Sequence, residues 1–147
     1  LAFEEVSGIE KTEQKIADLL SRGKKYIWMS TGLNPRFYNR PHIKHAMTKA
    51  LEKVKQFRLL LDVDIKERKK EMSWLFDLMS EKGFEIRYRK NVPHWLIVDG
   101  KHFRLEKFHP PTTMGVKNLV VYNMDFTLSE VLQYTFSEWW NNANPAE

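Results

Sequence analysis

Apolar positions along the chain alternate between two periods. Ile9, Ile16, Leu19 and Leu20 recur at helical spacing behind Ser7-Gly8-Ile9-Glu10, which has the Ser-x-x-Glu form of a capping box, and Gly23 supplies a stop. A helix is predicted from about Gly8 to Arg22. Tyr26 to Ser30 is short, aromatic and β-branched, a buried strand closed by a turn over Thr31 to Pro35. Pro41 suits the first position of a second helix, with Ile43, Ala46, Met47, Ala50, Leu51 and Val54 on one face and Lys44, Lys49, Glu52 and Lys55 on the other. Phe57 to Leu61 reads as a strand, and Asp64 with Glu67 opens a third helix carrying Ile65, Met72, Leu75, Phe76 and Met79, stopped at Gly83. Phe84, Ile86 and Tyr88 then alternate with Glu85, Arg87 and Arg89, the pattern of a half-buried strand with a basic outer face.

Trp95 to Val98 and His102 to Leu105 flank Asp99-Gly100, the signature of a two-residue type I′ hairpin. With those two residues as the turn, His94 faces Leu105 and Val92 faces Lys107 on one side, while Arg104 and Glu106 join Trp95 and Ile97 on the other. Arg104 would stack on Trp95. Pro110 to Gly115 reads as a loop, Asn118 to Tyr122 as a strand, and Thr127-x-x-Glu130 as a capping box for a last helix with Leu128, Val131, Leu132, Phe136, Trp139 and Trp140 as its stripe. The order is that of an α/β domain spanning residues 1–147. A single mixed, mostly parallel sheet flanked by helices on both faces is the expected architecture.

A length of 147 residues with 42% hydrophobic and 13% aromatic content is enough for one core. The absence of cysteine removes disulfides, thiolate nucleophiles and thiolate metal sites. No apolar run is long enough for a membrane helix and no signal peptide is visible, so a cytoplasmic protein without membrane insertion is expected. A formal charge of +5 suits anionic partners, or solubility alone. Leu1 in place of Met suggests a piece of a longer polypeptide with an upstream domain.

V-P-H-W-L-I-V-D-G at the hairpin and F-S-E-W-W on the last helix, in this order of elements, resemble the phospholipase D-like fold. Active members carry H-x-K-x-x-x-x-D and then G-S-x-N. Aligned on Asp99, the motif His is Val92, the Lys is His94, and the Gly, Ser and Asn are Glu106, Lys107 and His109. Only the aspartate matches. The later N-x-E is Asn123-x-Asp125. F-E-E-V-S-G-I-E, G-F-E-I-R-Y-R, I-V-D-G and F-S-E-W-W-N-N-A resemble, more narrowly, the regulatory domains of TrmB-like transcription regulators of archaeal type. That resemblance implies a homodimer, a small effector and DNA binding through an N-terminal winged helix-turn-helix.

In active members the motif His attacks phosphorus and the Lys neutralises the phosphoryl oxygens. Both roles are lost here under either alignment of His94, so a non-catalytic effector-sensing and dimerisation domain is the first reading. A small anionic ligand is expected at His94, Lys107, His109, Asn123 and Asp125, with no cofactor and no catalytic residue. Against it stands a core histidine at position 94 with Lys107 solvated at a strand end. Two further functions stay open: a phosphodiesterase or nuclease using His94 and His109, and nucleic-acid binding through Lys24, Lys25, Arg87, Arg89 and Lys90. His42 and His45 have no carboxylate or cysteine partners at ligand spacing, so no metal site is read.

Overall fold

The computed structural model describes residues 2–109 and 116–145, and the expected loop from Pro110 to Gly115 lies outside them. In chain order the elements are β1 (Ala2–Ser7), α1 (Ile9–Arg22), β2 (Tyr26–Thr31), α2 (Pro35–Tyr38), α3 (Pro41–Lys53), β3 (Gln56–Leu61), α4 (Ile65–Lys69) and α5 (Ser73–Glu81). There follow β4 (Ile86–Tyr88), β5 (Trp95–Val98), β6 (His102–Glu106), β7 (Lys117–Tyr122), α6 (Phe126–Asn141) and β8 (Asn144–Pro145). One 8-stranded sheet runs β1-β7-β6-β5-β2-β3-β4-β8. Only β2–β3 and β3–β4 are parallel, and every other neighbouring pair is antiparallel. The sheet is mixed but mostly antiparallel, which corrects the expectation of a mostly parallel one. Among the described strands, helix-linked crossovers between parallel neighbours join only β2, β3 and β4. The hairpin, β7 and the two edge strands supply the rest.

Helices cover both faces. Ile16, Leu19 and Leu20 of α1, Ile43, Met47 and Leu51 of α3 and Leu75 and Met79 of α5 bury one face with Met29, Leu59, Leu96 and Val98. On the other face α6 is the one helix among the described residues, placing Leu132, Phe136 and Trp140 against Leu60, Ile97, Phe103 and Val121. Trp95 lies 4.5 Å from Trp139 between ring centroids and 5.1 Å from Phe103, so the tryptophans belong to this aromatic layer.

Three local expectations change. Ser7 ends β1 and Gly8, at φ 92°, caps α1 without a side-chain bond, so no capping box forms there. The Asp125 carboxylate, not Thr127, caps α6 by accepting from the Leu128 N–H at 2.8 Å. The single helix expected after Asp64 is broken between Lys69 and Ser73. The run from Arg68 to Glu71 supplies no apolar residue to hold its middle turn on the sheet.

Asp99 and Gly100 both have positive φ (57° and 64°), and the Lys101 N–H donates to the Val98 carbonyl at 2.9 Å, as in a type I′ turn. The ladder nevertheless resumes at Val98↔His102, so Lys101 is an extra residue and Leu96 pairs with Arg104 rather than Phe103. The Asp99 carboxylate accepts from the backbone N–H groups of Lys24 (2.9 Å), Lys25 (2.8 Å) and Tyr26 (3.0 Å), fastening the turn to the start of β2. Ser129 of α6 donates to the Gly100 carbonyl from the other side.

Asp99→Ala is expected to destabilise the domain by about 2–3 kcal/mol, because three N–H groups lose a charged acceptor. Asp99→Asn, which tolerates positive φ and keeps one oxygen, should lose about half of that. Urea denaturation of the three proteins checks both values.

Candidate functional site

Since β2 and β3 are parallel and β5 is antiparallel to β2, the carboxyl ends of β2 and β3 meet the start of β5 and the end of β6. Crevices at the carboxyl ends of strands are where open α/β sheets place ligands. His94 stands just before β5. The buried Ser30 fixes it, donating to the Pro93 carbonyl at 2.6 Å and accepting from the Trp95 N–H at 2.8 Å on either side of it. Asp62 follows β3, and its Oδ2 lies 2.6 Å from His94 Nε2. Glu106 closes β6, and its Oε1 lies 3.2 Å from His94 Nδ1.

The one-residue shift of the hairpin brings Glu106 to His94. Glu106 and Arg104 share the His94 face, whereas a plain two-residue hairpin would send them to the aromatic side. Arg104 does not stack on Trp95. Only 2% exposed, its Nε donates to Asn118 Oδ1 at 2.7 Å and its Nη2 to Glu106 Oε2 at 2.8 Å. Asn118 in turn donates to Thr12 Oγ1 of α1 at 2.8 Å. Each member of this buried chain has a partner, the condition under which a guanidinium can sit in a core.

Burial alone would lower the His94 pKa, but hydrogen bonds to Asp62 and Glu106 and the charges of both carboxylates outweigh it and hold it up at about 9. Burial would likewise raise the Glu106 carboxyl, yet the bond from His94 and the charges of Arg104, His94 and His109 bring it down to about 2. The imidazolium therefore bridges two carboxylates.

A cavity of about 750 Å³ opens beside this cluster. Leu33, Phe37, Val63 and Val92 give it apolar walls, and Arg68, Lys90 and Lys107 stand among its lining residues. Leu33 has φ 53°, a conformation unfavourable for a bulky L-residue, and is held there by its N–H bond to Thr31 Oγ1 at 2.9 Å. Gly32 lies against the cluster, where an added Cβ would come 3.3 Å from Asp62 Oδ1 and 3.4 Å from His94 Cε1.

Of the five residues named from sequence, His94, Lys107 and His109 line this cavity. Asn123 and Asp125 do not. Asn123 follows β7 at the hairpin-turn end, where its N–H meets His102 Nδ1 at 3.2 Å, and Asp125 caps α6. The antiparallel run of β7 carries them to the end opposite His94. Asp62, Arg104 and Glu106 join the site unannounced. An acidic residue directly after a strand signals such a position for Asp62, but the extra hairpin residue has no mark in the sequence. Nor do the basic residues form one surface: Lys24 and Lys25 precede β2 at the turn end, Lys90 lines the cavity, and Arg87 donates to the Trp140 carbonyl at 2.7 Å.

The sheet order, the helices on both faces and the position of the cavity define a domain of the phospholipase D-like fold. Comparison with family models and with curated proteins finds no match. Among solved structures the chain is similar to TrmBL2, an archaeal chromatin protein described as showing a novel mode of DNA binding, with a TM-score of 0.77 and 18% identity. That similarity covers 98% of this chain and 53% of the other, so the chain spans about half the length of TrmBL2. It is also similar to Nuc, a phospholipase D family member from Salmonella typhimurium, with a TM-score of 0.75 and 16% identity over 99% of this chain and 98% of that one. NucT from Helicobacter pylori follows at 0.67 and 9%, covering 99% and 100%. Among the described residues, no helix is long and apolar enough to cross a membrane.

Because the folded pKa of His94 lies above its ordinary 6.5, the stability it contributes is fully present below about pH 6.5 and is lost as pH rises through 9. Glu106, displaced downward from 4.5, contributes stability above pH 4.5 that is lost as pH falls through 2. Urea denaturation should show the wild type losing on the order of 2–3 kcal/mol relative to His94→Gln between about pH 6.5 and pH 9.5. Parallel curves for the two proteins would refute the assignment.

Proposed function

We propose that this chain is a non-catalytic, effector-sensing domain of a TrmB-like transcription regulator, and that its ligand is a small molecule with an anionic group. The observation that carries the reading is the cavity itself, apolar in its walls and bordered by Arg68, Lys90 and Lys107, at the place where the resemblance puts the phosphodiesterase centre. Asp62 and Glu106 are matched by His94 and Arg104, so the cations at Lys90 and Lys107 remain to meet an anionic head while Phe37 and Leu33 take an apolar body. The family chemistry has no nucleophile here. Val92, at the motif His position, is 6% exposed with no polar atom in its side chain, and both nitrogens of His94 face carboxylates.

The same reading has the domain pair with a second copy in the cytoplasm and leaves DNA contact to an N-terminal helix-turn-helix. The likeness to a DNA-binding protein of which this chain spans about half supports it. A thermal-shift screen of carboxylates, sugar phosphates, nucleotides and neutral sugars, run with a chelator, tests the ligand. An anionic compound should raise Tm with concentration, stabilising by about 2.7 kcal/mol at a hundredfold excess over Kd, and the rise should vanish in a Lys90→Ala, Lys107→Ala protein. No shift from any compound, together with phosphodiester cleavage by the wild type, would return the domain to the enzymes.

A further inference from the structure

We propose that His94, Glu106 and His109 form a site for one divalent transition cation of the zinc class, at the corner of the cavity. Atoms of the three side chains that can bind a metal all lie within 4.8 Å of one another. Glu106 Oε1 is the hub. It is 3.2 Å from His94 Nδ1 and in close contact with His109 Nε2, and the two imidazole rings meet edge to face at 5.7 Å. The remaining atoms are already committed in the way such a site requires. Glu106 Oε2 is held by Arg104 at 2.8 Å, which leaves Oε1 for the cation. His94 Nε2 faces Asp62 Oδ2 at 2.6 Å and keeps its proton there, so a cation that displaces the Nδ1 proton shared with Oε1 meets the Nδ1 lone pair. A carboxylate behind a histidine ligand sets its tautomer and raises its basicity, a recurrent feature of metal sites.

The donor set selects the ion. Two imidazoles and one carboxylate suit zinc and its neighbours in the first transition row, whereas calcium and magnesium take oxygen donors. Three protein ligands leave at least one position open, and the cluster lines the cavity, so that position can take a ligand's oxygen. The sequence conceals the set. His94 precedes β5 and Glu106 ends β6, so they meet only through the shifted register, and His109 follows β6. The cation does not depend on the effector reading, because it is titrated alone while the effector screen is run in chelator.

The test uses the full chain, stripped with chelator and titrated with Co²⁺. A visible d–d band of low-symmetry cobalt should saturate at one ion per chain and be displaced by Zn²⁺. His109→Ala should weaken binding at least tenfold, in line with the effect of losing a metal-site partner. His109→Cys should restore it and add a sulfur-to-cobalt charge-transfer band. A His42→Ala, His45→Ala protein should bind like the wild type. An absent or non-saturating band, unchanged affinity in His109→Ala, or loss of the band in the His42→Ala, His45→Ala protein would each overturn the proposal.

Discussion

Strand β6 runs one residue out of step with β5 because Lys101 is fitted in after the Asp99-Gly100 turn, and the rest of the site depends on that offset. A strand's side chains alternate, so a shift of one residue exchanges its two faces. With it, Phe103 and Leu105 meet Ile97 and Trp95 under α6, and Arg104 and Glu106 meet Leu96 and His94 under the other helices. Without it, an arginine and a glutamate would enter the aromatic layer. The burial of Phe103 and Val121 on one side and of the ion-paired Arg104 on the other enforces the register from both faces.

Charge then organises the layer between the sheet and α1. Arg104, Asn118 and Thr12 form a hydrogen-bonded line from β6 through β7 to the first helix, and Glu106 joins it to His94 and Asp62. The low dielectric of that layer strengthens each bond and penalises any unmade one. Asp62 Oδ1 is the exception, a buried oxygen without a hydrogen-bond partner among the described residues, beside Gly32. An under-satisfied carboxylate after β3 and a left-handed Leu33 after β2, with Gly32 between them in space, mark the part of the fold where local comfort is given up.

The helices and central strands were legible because their apolar periodicity is strong: α1, α3, β2, β3 and the hairpin strands stand where Ile16, Met47, Ile27, Leu59 and Leu96 place them. The edge strands were not. β1, with Phe3 exposed and Glu4-Glu5 at its centre, and β8, which is Asn144–Pro145, are held by backbone pairing, which leaves no pattern in side chains. Because both edge strands pair antiparallel and carry no apolar period, the sequence pattern shows a larger share of helix-linked parallel strands than the sheet contains. At the site, His94 could be found from the motif and Asp62 had the weak mark of an acidic residue after a strand, but the partnership with Glu106 could not be read. Asp125 aligns with the later motif of the resembled family, but its carboxylate serves a helix terminus.

The hairpin is fixed at its two ends by unlike means. At the turn, Asp99 and Ser129 bind backbone groups of β2 and of the turn itself. At the other end, ion pairs hold His94 between Asp62 and Glu106, and the cavity is lined by Arg104, Leu105 and Glu106 of β6 and by loops that follow β2, follow β3 and precede β5. Loops of that kind accept substitution and insertion more readily than the ladder they flank. One end of the hairpin is therefore fastened through backbone groups and the other through ion pairs, so a substitution that loosens the turn leaves the fastening at the cavity end in place.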